Sequence, residues 1–276
     1  MKIKNIFFVV CFLVLIGTVS AQEVVLDTAS VENNDYYGPR SNNITFFYGD
    51  YAFLTTYDTA LYSTLFVVKY KNKIIAQDTV YELVDTINII DFNNDGKKNI
   101  IMGTFSGGAH CCSSLLIGVA EGGKFKFTDT LFTGNSGYLL RDIENDKRLE
   151  IEIGNDMFAY AFTNYAETRF PPEIYCIKNN KFLKITKIYP KIVNDYIAEL
   201  LTELKEFTKG GFKCLGKDDD TFNTDAGSVK TILAAITACY YSIGNVDKGY
   251  ELINKTYKCP DKDKFVKILK TDFKLK

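Results

Sequence analysis

Asp91-Phe92-Asn93-Asn94-Asp95-Gly96-Lys97-Lys98-Asn99-Ile100-Ile101-Met102-Gly103 is a loop of oxygen-bearing side chains running straight into a short apolar strand. Asp91, Asn93, Asp95 and Asn99 stand at loop positions one, three, five and nine, with Gly96 at six. Alternate side chains of a tight loop can aim oxygens at one point, which suits a hard cation such as calcium. Position six must turn sharply, and glycine adopts the left-handed backbone this needs at least cost. The Lys97 carbonyl at position seven is the expected backbone ligand. An EF-hand begins the same way but needs a bidentate glutamate at position twelve and a helix on each side. Met102 stands there instead, inside a run that reads as a buried strand, so the EF-hand reading fails.

The pattern returns at Asp142, Glu144, Asp146 and Glu150, again at positions one, three, five and nine, with Ile-Glu-Ile-Gly following. Self-similarity at a period of about 50 residues predicts stacked supersecondary repeats. Lys147 replaces the glycine and Glu144 is longer than its counterpart, so the second loop is expected to hold an ion less well. The competing reading makes both loops acidic turns closed by their own backbone amides. With two carboxylates, the first loop should bind calcium in the roughly 0.1–1 mM range of extracellular modules.

The stretch from Asp91 through Ser106-Gly107-Gly108-Ala109-His110-Cys111-Cys112 resembles an FG-GAP or integrin-alpha-type repeat of the kind found in secreted bacterial proteins. Residues 141–166 are similar to the degenerate second repeat that follows in such proteins, and the resemblance covers roughly residues 80–185. It implies four-stranded antiparallel propeller blades with calcium in an inter-strand loop. It assigns the metal role to Asp91, Asn93, Asp95, Lys97 and Asn99. Asn99 departs from the usual aspartate, which lowers the expected affinity. The resemblance transfers no catalytic residues.

The first 21 residues read as a Sec signal peptide: Lys2 and Lys4, then an apolar stretch, then Val19-Ser20-Ala21 as the cleavage site. That stretch is short for a bilayer span, and the rest of the sequence holds no second one. A periplasmic or extracellular protein without a membrane span is expected. Removing the two lysines moves the formal net charge from −1 to −3, so no electrostatic case for nucleic acid exists. The expected partner is an envelope protein or glycan. Cys111, Cys112, Cys176, Cys214, Cys239 and Cys259 remain, an even number that favours disulfides in an exported chain. Cys239–Cys259 is the preferred pair, with Cys214 the competitor. Cys111 and Cys112 either bridge each other or, as strand neighbours pointing to opposite faces, send one to Cys176. Connectivity is not legible from sequence.

Residues 22–43 read as a polar lead-in. Residues 44–187 read as short strands between Gly, Asn and Asp clusters, Met157–Thr163 among them, about a dozen in all, enough for two or three blades. This predicts incomplete propeller-like antiparallel sheets with a small helical region after them, a mainly β fold with an α-helical C-terminal part. From Pro190 the apolar spacing turns helical and stops at Lys209-Gly210-Gly211. After a polar linker, two helices joined at Gly244-Asn245 resemble one tetratricopeptide-like hairpin, which cannot stand alone and should pack on the sheets. Residues 188–276 form this helical region.

Other chemistry is thin. His110 beside two cysteines suggests thiol or zinc chemistry, but neither a second His nor a spaced Cys-x-x-Cys pair supports it. Acid pairs among Asp142, Glu144, Glu150 and Glu152 suggest glycoside hydrolysis, yet any acidic loop supplies such pairs. Phe158, Tyr160, Phe162, Tyr165 and Arg169 read as a ligand face or as packing. Asp-Thr followed by an apolar residue, starting at Asp27, Asp58, Asp78, Asp85 and Asp129, looks like an O-glycosylation acceptor and is also ordinary at strand ends. The expected function is an exported non-enzymatic binding or structural module with a weak calcium loop. The alternatives are an envelope hydrolase using acidic loop residues, or an adaptor acting through the helical hairpin.

Overall fold

The structure, a computed structural model, describes residues 43–108 and 111–276. The signal-like segment, nearly all of the lead-in, and His110 lie outside them. Among the described residues, twelve strands form three four-stranded antiparallel sheets, none closed on itself. The first holds β1 (Thr45–Tyr48), β2 (Tyr51–Asp58), β3 (Ser63–Tyr70) and β4 (Lys73–Val80). The second holds β5 (Leu83–Ile90), β6 (Asn99–Phe105), β7 (Ser113–Glu121) and β8 (Lys124–Gly134). The third holds β9 (Leu139–Arg141), β10 (Glu150–Gly154), β11 (Pro172–Lys178) and β12 (Lys181–Lys184). Each sheet is a meander in chain order, most neighbours being joined by short turns or loops, and β10 and β11 by the longer connection 155–171.

The sheets stack, and β6 shows why its sequence is apolar throughout. Successive strand residues face opposite sides. Ile100 and Met102 join Phe53, Phe66 and Val68 of the first sheet in one core. Ile101 points the other way and joins Ile151 and Ile153 of the third sheet in a second core. A sheet covered on both faces reads as a continuous hydrophobic run rather than an alternating one. Polar ties accompany the packing: the Asp129 carboxylate of β8 accepts from the Phe182 N–H of β12 at 2.9 Å.

Four helices follow: α1 (Pro190–Thr208), α2 (Asp225–Ser242), α3 (Val246–Thr256) and α4 (Lys262–Thr271). α2 is small and apolar on every side and is buried from Ala226 to Cys239, as a central helix must be. Gly249 of α3 lets the two helices close up, since a Cβ there would sit 2.7 Å from the Thr237 Cα of α2. α2 is therefore the centre of a core that also takes in α1, α4 and Ile253 of α3. That core reaches the sheets through Phe158 and Phe162 on the β10–β11 connection.

That connection corrects the reading of Met157–Thr163 as a strand. It forms short 3-10 turns at Asp156–Phe158 and Tyr165–Glu167, each started by an asparagine side chain that accepts from the turn's backbone. The apolar alternation there serves burial under the helices, not sheet pairing. α4 had no separate place in the sequence reading.

Candidate functional site

The two acidic loops occupy equivalent places, between β5 and β6 in the second sheet and between β9 and β10 in the third. Their internal bonds match. Asp91 Oδ1 accepts from the Asp95 N–H at 3.1 Å, and Oδ2 from the Gly96 N–H at 2.8 Å. Asp142 Oδ1 accepts from Asp146 N–H and Oδ2 from Lys147 N–H, both at 2.9 Å. In each, the position-five carboxylate then accepts from the position-seven N–H, at 2.8 Å for Asp95 and 2.9 Å for Asp146. Gly96 has φ +81° and Lys147 φ +68°, so the lysine takes the left-handed turn that glycine takes more cheaply.

The loops are also joined. The Phe92 carbonyl accepts from the Leu149 N–H at 2.9 Å, while the Phe92 ring is buried in the core between the sheets. Asn99 is buried and its amide donates to Asn180 Oδ1 on the β11–β12 turn at 3.0 Å. Glu150 is buried too, its Oε2 accepting from the Ile143 N–H at 3.1 Å.

Their electrostatics differ. Asp146 is bound by Arg148 at position seven, whose Nε donates to Oδ2 at 2.6 Å, and the same guanidinium lies 3.9 Å from Glu144. Arg148 holds the Asp146 carboxyl below the usual carboxylate range. The second loop thus carries its own cation, and its residues do not fit a metal. In the first loop, Asp91 and Asp95 make no ion pair among the described residues, and Lys97 is exposed. Its hard oxygen donors suit calcium in kind, although among the described residues no three His, Cys, Asp or Glu side chains converge as a metal cluster.

The cysteines depart from the preferred pairing. Cys259 bonds Cys214, the competitor, at S–S 1.97 Å, closing a separation of 45 residues. Cys239 lies on α2, buried in the helical core, and is free, because the small-residue helix that carries it is wrapped on all sides. Burial pushes its thiol up to about 12. Cys111 and Cys112 bridge each other in the β6–β7 loop, where Ser106 Oγ accepts from the Cys112 N–H at 2.6 Å and donates to the Cys111 carbonyl at 2.7 Å. They are not strand residues, so the expectation of opposite faces does not apply. Cys176 on β11 is free and half-buried.

Of the aromatic stretch, Phe158 and Phe162 are core, and Arg169 is held by Glu203 of α1 in a bidentate pair. Thr59, Thr79 and Thr130 of the Asp-Thr tripeptides are exposed, Thr86 has a buried hydroxyl, and Thr28 lies outside the described residues.

Sequence reasoning missed two features. One is a buried group in the helical core: Lys230 Nζ donates to Thr221 Oγ1 at 2.7 Å and pairs with Asp261, which also accepts from the Tyr257 hydroxyl at 2.9 Å. The only signal for it was a lone lysine inside an otherwise apolar helix. The other is a cleft of about 400 Å³ between the β9–β10 edge and α1. Nothing in the sequence brings residues 136–154 to residues 192–199.

No helix among the described residues is long and apolar enough to cross a membrane. No family model matches the chain. No solved structure matches it. Among curated proteins it is similar to a "Probable thylakoid lumen protein" of Synechocystis sp., 22% identical over 196 residues, covering 69% of this chain and 54% of the relative. The chain therefore spans about half the length of that curated relative.

Proposed function

We propose that this chain is an exported, non-enzymatic binding module whose three sheets are FG-GAP-like blades and whose 91–99 loop holds calcium weakly. The observation that carries the reading is the shared bond pattern of two eight-residue loops at the same place in successive four-stranded meanders. One loop leaves its carboxylates without an ion pair; the other neutralises them with Arg148. That contrast favours a single ion, in the first loop, bound by Asp91, Asn93, Asp95, the Lys97 carbonyl and Asn99. The sandwiched second sheet already holds the loop ends in place, so calcium adds stiffness rather than folding the domain.

The signal-like start and the lumenal name of the Synechocystis relative support an exported setting, since that lumen corresponds topologically to the periplasm. Envelope proteins and glycans are the proposed partner classes.

Thermal unfolding with calcium and with chelator tests the loop. At millimolar free calcium the wild type should gain about 1 kcal/mol, and Asp95→Ala should abolish that gain. An equal gain in the variant would place the ion elsewhere. Turnover of envelope polymers by the mature protein would overturn the non-enzymatic part and favour the hydrolase.

A further inference from the structure

The cleft beside α1 has a chemistry of its own. Ile192, Tyr196 and Glu199 fall on one face of α1, spaced four and three residues apart, and this face overlooks β9 and β10. Tyr138, Phe170 and Tyr196 supply three aromatic rings to the lining. Charge there is unbalanced: Glu152, Asp195 and Glu199 stand against one guanidinium, Arg141. That guanidinium is occupied, since it donates to Glu152 Oε2 at 2.6 Å. Asp195 meets only the exposed Lys191 at 2.7 Å, a surface pair of little strength. Glu199 is exposed and makes no ion pair among the described residues.

An anionic ligand would need a free cation here, and among the described residues none lines the cleft. A neutral ligand would leave the surplus carboxylates unused. Aromatic faces beside carboxylates are the combination that recognises an organic ammonium group, through ring quadrupoles and direct charge together. Burial raises the Tyr196 phenol, so its ring stays neutral at ordinary pH. The cleft volume of about 400 Å³ lies at the low end of small-molecule sites.

We propose that the cleft between the β9–β10 edge and α1 is a binding site for an alkylammonium group, with Glu199 and Asp195 taking the charge and Tyr196 the alkyl stem. The same chemistry is offered by a free diamine and by a lysine side chain of a partner protein. The site does not use the calcium loop, so the two readings fail independently.

Calorimetric titration of the full mature chain tests this with three probes: cadaverine, a short peptide with a single lysine, and 1,5-pentanediol as the uncharged isostere. Binding of either amine, without binding of the diol, is expected below about 10 mM. Glu199→Gln should weaken it at least about fivefold, and Asp218→Asn, in the polar linker and not among the lining residues, should leave it unchanged. Tyr196→Leu should also weaken it, with circular dichroism confirming that the variant is folded. Tighter binding of cadaverine assigns the site to free amines; tighter binding of the peptide assigns it to a partner's lysine. Silence from both amines, equal binding of the diol, or an undiminished Glu199→Gln would overturn the proposal. Added chelator should change nothing.

Discussion

Lys147 and Gly96 occupy the same turn, and the difference between them is a backbone cost. A side chain in the left-handed region is disfavoured by roughly 1–2 kcal/mol against glycine, part of which glycine gives back through a more flexible unfolded chain. Lys147→Gly should therefore stabilise the protein by about 0.5–1 kcal/mol, read from the midpoint of urea unfolding. The cysteines give a second test at this scale. Cys239 is buried with its thiol raised to about 12, so thiolate is scarce near neutrality and access is closed. A thiol reagent at pH 8 should leave Cys239 unmodified in the native protein and label it fully in denaturant, as peptide mapping would show. Fast native labelling would mean that α2 is not the central helix described.

At the scale of elements, burial on both faces sets the second sheet apart. Phe92 belongs to the loop by sequence yet fills the core between two sheets, and its carbonyl ties the loops together. Phe92→Ala should cost about 3–5 kcal/mol, a core-sized loss from a residue in a polar loop. The α2–α4 contact is another case. Asp261→Ala leaves the Lys230 ammonium buried and unpaired, a change that costs about 3–5 kcal/mol in comparable pairs. Tyr189, just before α1, links helix and third sheet. Burial, with Glu150 beside it, pushes its phenol up to about 12. The folded state thus favours the neutral phenol relative to an unfolded value near 10. That contribution is whole below about pH 10 and is lost as pH rises toward 12. Stability should fall across that window, and phenolate absorbance should appear at higher pH in the native protein than in urea.

For the whole molecule, the question is how the helices hold to the sheets. They do so through the shared Phe158–Phe162 core and the Arg169–Glu203 pair, so removing residues 188–276 would uncover buried aromatic rings. Within the hairpin α2 is buried from Ala226 to Cys239, whereas α3 buries Gly249 and Ile253 and leaves Asp247, Lys248, Glu251 and Lys255 exposed, the face that the adaptor alternative would use. Cys214–Cys259 closes a long loop within that part of the chain. Replacing both cysteines by serine should destabilise by about 3–4 kcal/mol, measurable as a lower denaturation midpoint, with the loss confined to the helical core.

The sequence by itself determined the local events: two matching acidic loops, strands bounded by Gly and Asn turns, and the switch to helical spacing at Pro190. These rest on periodicity and turn chemistry, which act over a few residues. It misread Met157–Thr163, because an apolar alternation does not say whether a sheet or a helix will cover it. Only the tertiary structure decided that Cys259 meets Cys214, that Arg148 neutralises its own loop, that Lys230 is buried with Asp261, and that α1 closes a carboxylate-rich cleft against β10. Each of these depends on which distant faces come together, and packing settles that over the whole chain.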